Sequence, residues 1–349
     1  MKKKWIALLL TAVMIIMTGC TSTQTSEETA QENTQTQTTA QLEDFDIVLD
    51  WYPNAVHSFI YVAMEKGYYQ EEGLNVNIRF PANTNDALSL TAAGRADMGI
   101  YYLHDVIMAV ANENVPIKSV GALTQSSLNI VLSLKDKNIT SPSDLVGKKV
   151  GYSGTTLSEA MLRSNLEYVE GESTQANMEL IDVGFDLMSS MTTGQVDATI
   201  GCMRNHEVPQ MESEGFEVQY YSPSEYGVPE YYGLVLVASN DSLENNTEKI
   251  KKFLRASQKG FEFMKQNPDE ALQILLNNQN EENFPLKEEV EKQSMDILLP
   301  LMETDTVPFL SQDAQIWQNS IDWMVKEGII SQENIVKPED VFMNMDLTE

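Results

Sequence analysis

The run Asp50–His57 (DWYPNAVH) gathers a carboxylate, an indole, a phenol, a rigid proline, an amide and an imidazole into one short stretch of chain. An indole offers a flat face on which a heteroaromatic ring stacks, and the amide and imidazole can hold that ring's polar edge. The run follows an apolar segment and precedes apolar residues at helical spacing. It therefore occupies the carboxyl end of a strand, next to a helix start whose first N–H groups lack intrahelical partners. Trp51, Asn54 and His57 are candidate ligand contacts, with Trp51 as a core residue and His57 as a helix cap the plainer alternatives.

Further groups stand after other predicted strands. Tyr101 and Tyr102 are each able to stack or to donate a hydrogen bond, but strand neighbours point to opposite faces, so one of the two is expected in a cleft. Pro81–Asn85 (PANTN) reads as turn chemistry. Tyr152–Thr156 (YSGTT) places Gly154 and Thr155 at a helix entry, where their N–H groups can meet an acceptor. Gly201–Glu207 (GCMRNHE) ends in Asn205, His206 and Glu207; the Glu207 carboxylate suits an amino group and its neighbouring ring nitrogen. A helix start with Asn205 as N-cap accounts for the same residues. Tyr232 lies on a return crossing and can oppose Trp51 across a flat ligand.

The signatures of catalysis are missing. The chain has no H-E-x-x-H, no G-x-S-x-G and no Walker phosphate loop. Its histidines, His57, His104 and His206, fall on three separate segments, too dispersed to make a zinc site the expectation. No catalytic residue, metal or cofactor is expected, and the chain is read as a binding protein.

The elements that position these groups alternate. A strand over Phe45–Trp51, a helix over Ser58–Lys66 stopped at Gly67, and a strand over Leu74–Phe80 come first. A helix capped by Asp86 and ended by Gly94 leads to a strand over Ala96–Tyr102. The rhythm then recurs: Met191–Ile200 (MTTGQVDATI) echoes Thr91–Ile100 (TAAGRADMGI), and Lys149–Thr155 (KVGYSGT) stands where Val48–Asn54 stands. Two α/β lobes follow, with ligand loops at the carboxyl ends of the strands. Asn129–Leu134 and Tyr232–Ala238 carry the crossings. Helices are predicted over Glu248–Gln266, Asp269–Asn277, Leu286–Met302 and Ala314–Glu327, packing on the first lobe and the hinge.

The amino terminus sets the compartment. Lys2–Lys4, an apolar run over Trp5–Met17, and Thr18-Gly19-Cys20 form a lipoprotein signal, with Cys20 the lipidated first residue of the mature chain. The expected organisation is signal peptide over 1–19, lipidated tether over 20–43, lobe 1 over 44–128, lobe 2 over 129–231, and return crossover with C-terminal helices over 232–349. The Thr-, Gln- and Ser-rich tether is too polar to bury a core. Cys202 then has no disulfide partner and reads as a buried, inert thiol. A net charge of −29 excludes nucleic acid as a partner, which would need a basic face.

Taken together, Asp50–Tyr69 (DWYPNAVHSFIYVAMEKGYY), Glu71–Leu74, the Gly94–Asp97 segment, Asp144–Gly151 (DLVGKKVG), the Asp197 segment and Tyr232–Asp241 resemble bacterial solute-binding proteins for thiamine pyrimidine precursors. The same family includes the fungal thiamine pyrimidine synthase. The resemblance spans nearly the whole mature domain, and the W-x-P-N-x-x-H pattern of Trp51, Pro53, Asn54 and His57 is its most specific part. It implies the type II two-lobe periplasmic-binding-protein fold with a double crossover. It also implies ABC permease and ATPase partners, a lipid-anchored place on the outer face of a bacterial membrane, and a formylaminopyrimidine or hydroxymethylpyrimidine ligand. Riboflavin or another flat heterocycle is the alternative. The fungal synthase has a Cys-rich stretch where this chain has Tyr231-Tyr232-Gly233-Leu234 and a loop Lys where this chain has Ala55-Val56, so synthase activity is not expected here.

Overall fold

The computed structural model describes residues 42–83, 85–171, 178–184, 186–279 and 285–348. The expected lipoprotein signal, with Cys20, and the expected tether through Gln41 lie outside them. Ten strands are present among the described residues: β1 (Glu43–Val48), β2 (Leu74–Arg79), β3 (Met98–Tyr101), β4 (Ile117–Ala122), β5 (Asn129–Leu134), β6 (Lys149–Tyr152), β7 (Glu179–Asp182), β8 (Ala198–Met203), β9 (Val218–Tyr221) and β10 (Val235–Ser239). They form two sheets of the same design, ordered β2-β1-β3-β10-β4 and β7-β6-β8-β5-β9. In each, three strands run parallel while the fourth in order is antiparallel to both neighbours. That antiparallel strand is the one the chain delivers on crossing from the other sheet, so the chain passes between sheets once outward and once back.

The stretches predicted to carry the crossings are largely these strands. Asn129–Leu134 is β5, mostly buried between β8 and β9, and Val235–Ser239 is β10, buried throughout. Their apolar runs reflect burial on both faces; the connections themselves are the segments before them, 123–128 and 222–234. β1 also begins one residue inside the expected tether.

The helices are α1 (Ser58–Glu65), α2 (Tyr68–Glu71), α3 (Asp86–Ala92), α4 (Leu103–Glu113), α5 (Thr156–Glu170), α6 (Leu187–Thr192), α7 (Glu207–Ser213), α8 (Asn240–Asn245), α9 (Thr247–Gln266), α10 (Pro268–Asn277), α11 (Glu288–Met302), α12 (Ala314–Lys326) and α13 (Pro338–Val341). The N-cap of α3 is Asn85 rather than Asp86, whose carboxylate instead accepts the amides of Ala82 and Asn83. α1 and α9 pack so closely that a Cβ on Gly260 would stand 2.2 Å from the Phe59 carbonyl oxygen. Beneath them Phe45, Phe253 and Tyr69 stack, with centroids 4.5 and 5.1 Å apart.

The sequence echo is a structural one. Asp97 donates its amide to the Asp46 carbonyl and accepts the Asp46 amide on Oδ2; Asp197 does the same with Lys149. Each aspartate also meets a lysine, Lys249 Nζ at 2.6 Å and Lys137 Nζ at 2.8 Å. Gly94 and Gly194 precede them at φ 64° and 74°, the left-handed conformation that ends α3 and α6. In both sheets this unit pins the third parallel strand beside the first.

The C-terminal helices reach further than predicted. α12 docks on α5 through Arg163 and Ser164 with Glu327 and through the Trp323 indole N–H to Ser164 Oγ at 2.9 Å. α11 meets the turn before α7 through Asn205 and Ser294. These helices therefore touch the elements of both sheets.

Candidate ligand-binding cleft

The parallel strands β1 and β3 of the first sheet end in the loops that carry Asp50–His57 and Tyr101–Asp105; β6 and β8 of the second end in Ser153–Thr155 and Arg204–Glu207. In the first loop Asn54 caps a single turn, Ala55–His57: its Oδ1 accepts the Val56 amide at 3.1 Å, and His57 Nδ1 accepts the Asn54 amide at 3.2 Å. With Nδ1 an acceptor, the His57 proton is on Nε2 and is donated to Asp50 Oδ1 at 2.9 Å, inside a fully buried environment. Asp50 Oδ2 accepts the Tyr102 hydroxyl at 3.2 Å. The Ala55 amide donates to Glu291 Oε2 at 2.7 Å, which ties the loop to α11. Burial pushes the Glu291 carboxyl above its ordinary range, against the lowering effect of that amide and of His206 and His57.

His57 and Asn54 thus have their polar atoms engaged within the loop they shape. Trp51 is the residue they display: it is 42% exposed, edge-on to Tyr52 at 5.5 Å. The two tyrosines of the β3 end separate as strand neighbours do. Tyr101 donates to Asn85 Oδ1 at 2.7 Å, while Tyr102 turns to Asp50. Burial first, then the charges of Asp50, Asp105 and Glu207, holds the Tyr102 phenol well above its usual value, so it stays a neutral donor. Tyr102 therefore ties the end of β3 to the loop after β1.

At the β8 end, Glu207 Oε2 accepts the Met203 amide at 2.6 Å and Oε1 meets His206 Nδ1 at 2.8 Å. Burial works against a charged His206 ring, but the Glu207 hydrogen bond and the Glu207 and Glu291 charges outweigh it and raise its pKa. The α7 N-cap is His206 and not Asn205. Asn205 is buried, donates to Ser294 Oγ at 3.2 Å, and keeps Oδ1 without a partner. At the β6 end, Thr155 caps α5 by accepting the Ser158 amide, and both Gly154 and Thr155 are exposed. Gly154 sits at φ 72°, and a Cβ there would meet Asp182 Oδ2 at 2.7 Å.

Tyr232 is placed differently from expectation. It is 1% exposed, its hydroxyl accepts the Asp313 amide at 2.7 Å, and its ring lies beside Trp317 in the core under α12. Its neighbour Tyr231 is the one that meets the first helix turn of α4, edge-on to His104 at 4.2 Å. His104 is itself buried, with its pKa pushed down to about 3 by burial, and lies in that aromatic packing. Among the described residues no group of histidine, cysteine and carboxylate side chains forms a metal-binding cluster, and no helix is long and apolar enough to cross a membrane. Cys202 is buried, and burial raises its thiol pKa. A surface depression of about 640 Å³ beside α2 and α9, lined by Tyr68, Lys259, Phe263 and Phe309 among others, contains none of these loop residues.

Sequence reasoning missed Glu291, which lies far along the chain and joins the first loop only through α11.

Comparison with known proteins places this geometry. The chain is 41% identical over 345 residues to the formylaminopyrimidine-binding protein of Halalkalibacterium halodurans, a match covering 99% of both chains. It is 25% identical over 268 residues to the 4-amino-5-hydroxymethyl-2-methylpyrimidine phosphate synthase of Legionella pneumophila, covering 76% of this chain and 79% of that one. The alkanesulfonate-binding protein SsuA of Xanthomonas axonopodis pv. citri, solved with MOPS bound, superposes with a TM-score of 0.64 at 11% identity over 88% of this chain and 100% of that chain. The two-sheet, double-crossover architecture is the periplasmic-binding-protein fold. The NMT1/THI5-like family model matches residues 54–271, from the Asn54 cap to α10, and the chain belongs to that family.

Proposed function

We propose that this chain is the extracytoplasmic substrate-binding subunit of an ABC importer and captures a thiamine pyrimidine precursor of the formylaminopyrimidine type between its two sheets. The observation that carries the reading is the match to the formylaminopyrimidine-binding protein along 99% of both chains, which includes every loop of the cleft. Trp51 supplies the stacking face, Tyr102 a neutral hydroxyl, and Asn205 and Glu207 the polar wall from the second sheet. Gly154 and Thr155 present backbone N–H groups at the α5 entry. Asn54, His57 and Tyr101 hold the walls in place, and Tyr232 supports them from the core. Cys20 is the lipid attachment point that keeps the subunit beside its permease.

The synthase relatives raise an enzymatic reading, and the reactive groups of this chain argue against it. His57 is enclosed with both nitrogens engaged, Cys202 is a buried thiol whose pKa is raised, and residues 230–234 contain no cysteine. Titration calorimetry of the mature protein against formylaminopyrimidine, hydroxymethyl aminopyrimidine and riboflavin tests the function. A pyrimidine dissociation constant of about 1 μM or lower, near −8 kcal/mol, is expected. No measurable binding of either pyrimidine overturns the proposal, and tighter binding of riboflavin moves it to another heterocycle.

A further inference from the structure

Two C-terminal helices are fixed to the first sheet and also reach the second, and their contacts differ in kind. α12 is held to the first sheet where Trp317 stacks on Phe342 at 5.6 Å and the next residue, Met343, donates its amide to the Ser119 carbonyl of β4. On its other side α12 meets α5. Glu327, which ends α12, has a side chain only 3% exposed; its carboxylate accepts Arg163 Nε at 3.1 Å, Arg163 Nη2 at 3.0 Å and Ser164 Oγ at 2.8 Å. A helix C-terminus disfavours a carboxylate, so the α5 donors are what hold Glu327 there. α5 is tied in turn to the connection at 222–234 by Asn165 Nδ2, which donates to the carbonyls of Pro223 at 2.9 Å and Tyr226 at 2.6 Å. One apolar cluster runs through this region, joining Leu103 and Val106 of α4 and Trp323 of α12 to Val150 of β6 and Met161 of α5.

α11 makes a lighter contact. Its apolar residues Met295, Leu298 and Met302 cluster with Phe59 and Phe253, on the first sheet's own helices. Glu291 takes the Ala55 amide of the loop after β1. Ser294, three residues on and so on the same helix face, takes Asn205 Nδ2 at 3.2 Å from the turn before α7. Both are 2% exposed. Lys287 adds only exposed contacts, to Glu214 and Ser213 at 3.4 Å. Asn205 Oδ1 has no partner among the described residues to strengthen the hold.

We propose that the α12–α5 contact is the pivot on which the two sheets turn, and that Ser294 on Asn205 is a latch that keeps the second sheet over the cleft and sets how fast a bound ligand leaves. The turn follows the path that breaks least. Parting α11 from the second sheet gives up a buried hydrogen bond and exposed lysine contacts. Parting α12 from α5 would leave a buried carboxylate without donors and open an apolar cluster. The latch acts on the sheets and not on the ligand, so it works in the empty protein too. The function proposed above supplies only the probe.

Stopped-flow release of 4-amino-5-hydroxymethyl-2-methylpyrimidine and small-angle scattering of the ligand-free protein test this on the mature chain. Ser294→Ala should raise koff about fivefold with kon unchanged, and its ligand-free radius of gyration should exceed that of wild type. Glu327→Gln should lower the melting temperature and leave koff as in wild type; Arg163→Gln, read the same way, serves if that variant does not fold. A faster koff in Ser294→Ala with an unchanged ligand-free radius would mean that Ser294 only orients Asn205, and overturns the latch. So does an unchanged koff, or a Glu327→Gln protein that releases ligand as fast as Ser294→Ala. If wild type binds no pyrimidine, the proposed function falls and the ligand-free radii alone decide the latch: equal radii overturn it.

Discussion

His57 donates its Nε2 proton to Asp50 Oδ1 at 2.9 Å, and both side chains are buried. The pair closes a circuit: Asp50 also takes the hydroxyl of Tyr102, just past β3, while His57 takes the Asn54 amide that opens the next turn. One histidine therefore fixes the loop after β1 against the loop after β3, and the exposed indole of Trp51 stands on that frame. His57→Ala would strand a buried carboxylate oxygen and an amide. It is expected to cost about 3 kcal/mol of stability, read as a lower urea midpoint with an unchanged slope. A loss under about 1 kcal/mol would show that solvent or repacking replaces the imidazole.

Trp51 separates contact from scaffold. With 42% of its surface exposed, truncation removes little packing, so Trp51→Ala should change ligand-free stability by no more than about 1 kcal/mol. Binding should fall at least tenfold through loss of stacking and apolar area, about 1.4 kcal/mol or more. Thermal melts with and without pyrimidine check both halves. A normal ligand-induced rise in the variant would exclude Trp51 from the cleft wall.

The contrast between these two residues shows where sequence was sufficient. Alternation of apolar residues between glycine stops placed β1, β2, β3, α1, α3 and the long C-terminal helices to within a few residues, because burial and helix termination are local and periodic. The Gly94–Asp97 and Gly194–Asp197 echo exposed the twofold plan, because each aspartate has one job, to lock a strand start. Which side of a residue meets the cleft was not local. Tyr232 reads as a cleft aromatic until Asp313, 81 residues on, takes its hydroxyl. Asn205 reads as a cap until Ser294 on α11 draws it inward. Asn54 and His57 were found by type, but their engagement with each other follows from the turn the chain makes there.

Proton linkage gives a third expectation. Asp105, His206 and Glu291 all have raised pKa values, so each binds its proton more readily in the folded state. For a raised group the stabilisation is complete below the unfolded value and lost as pH rises through the folded one. Asp105 loses its share between 3.8 and about 6, and His206 loses its share above the ordinary histidine range. Stability should therefore decline as pH rises from about 4, first through the carboxyl range and then above the ordinary histidine range. Exposed carboxylates held low by amides, Asp86 and Asp144, act in the opposite direction and weaken the fold only in strong acid. Urea midpoints across this range, for wild type, Asp105→Asn and His206→Gln, check the sign. Each variant should show a shallower decline, and an equally steep one in both would place the pH dependence elsewhere.

The last expectation concerns motion. The two sheets are joined by the connections at 123–128 and 222–234, and Gly233 in the second is confined, since a Cβ there would stand 2.7 Å from Thr124 Oγ1. That hydroxyl also accepts the Gly233 and Leu234 amides at 3.1 and 3.3 Å, so the two connections are stitched side by side. Side-by-side connections turn as one hinge, while the loops at the strand ends move most. Contacts from α11 to the second sheet, Asn205 to Ser294 and Lys287 to Glu214 at 3.4 Å, lie on the path of that movement. Small-angle scattering should show the radius of gyration falling when pyrimidine is added, with no change in mass. Gly233→Ala should bind more weakly by crowding the hinge, without touching the ligand. Superimposable curves for ligand-free and saturated wild type would mean that the cleft binds without closing, and the Gly233 effect should then vanish as well.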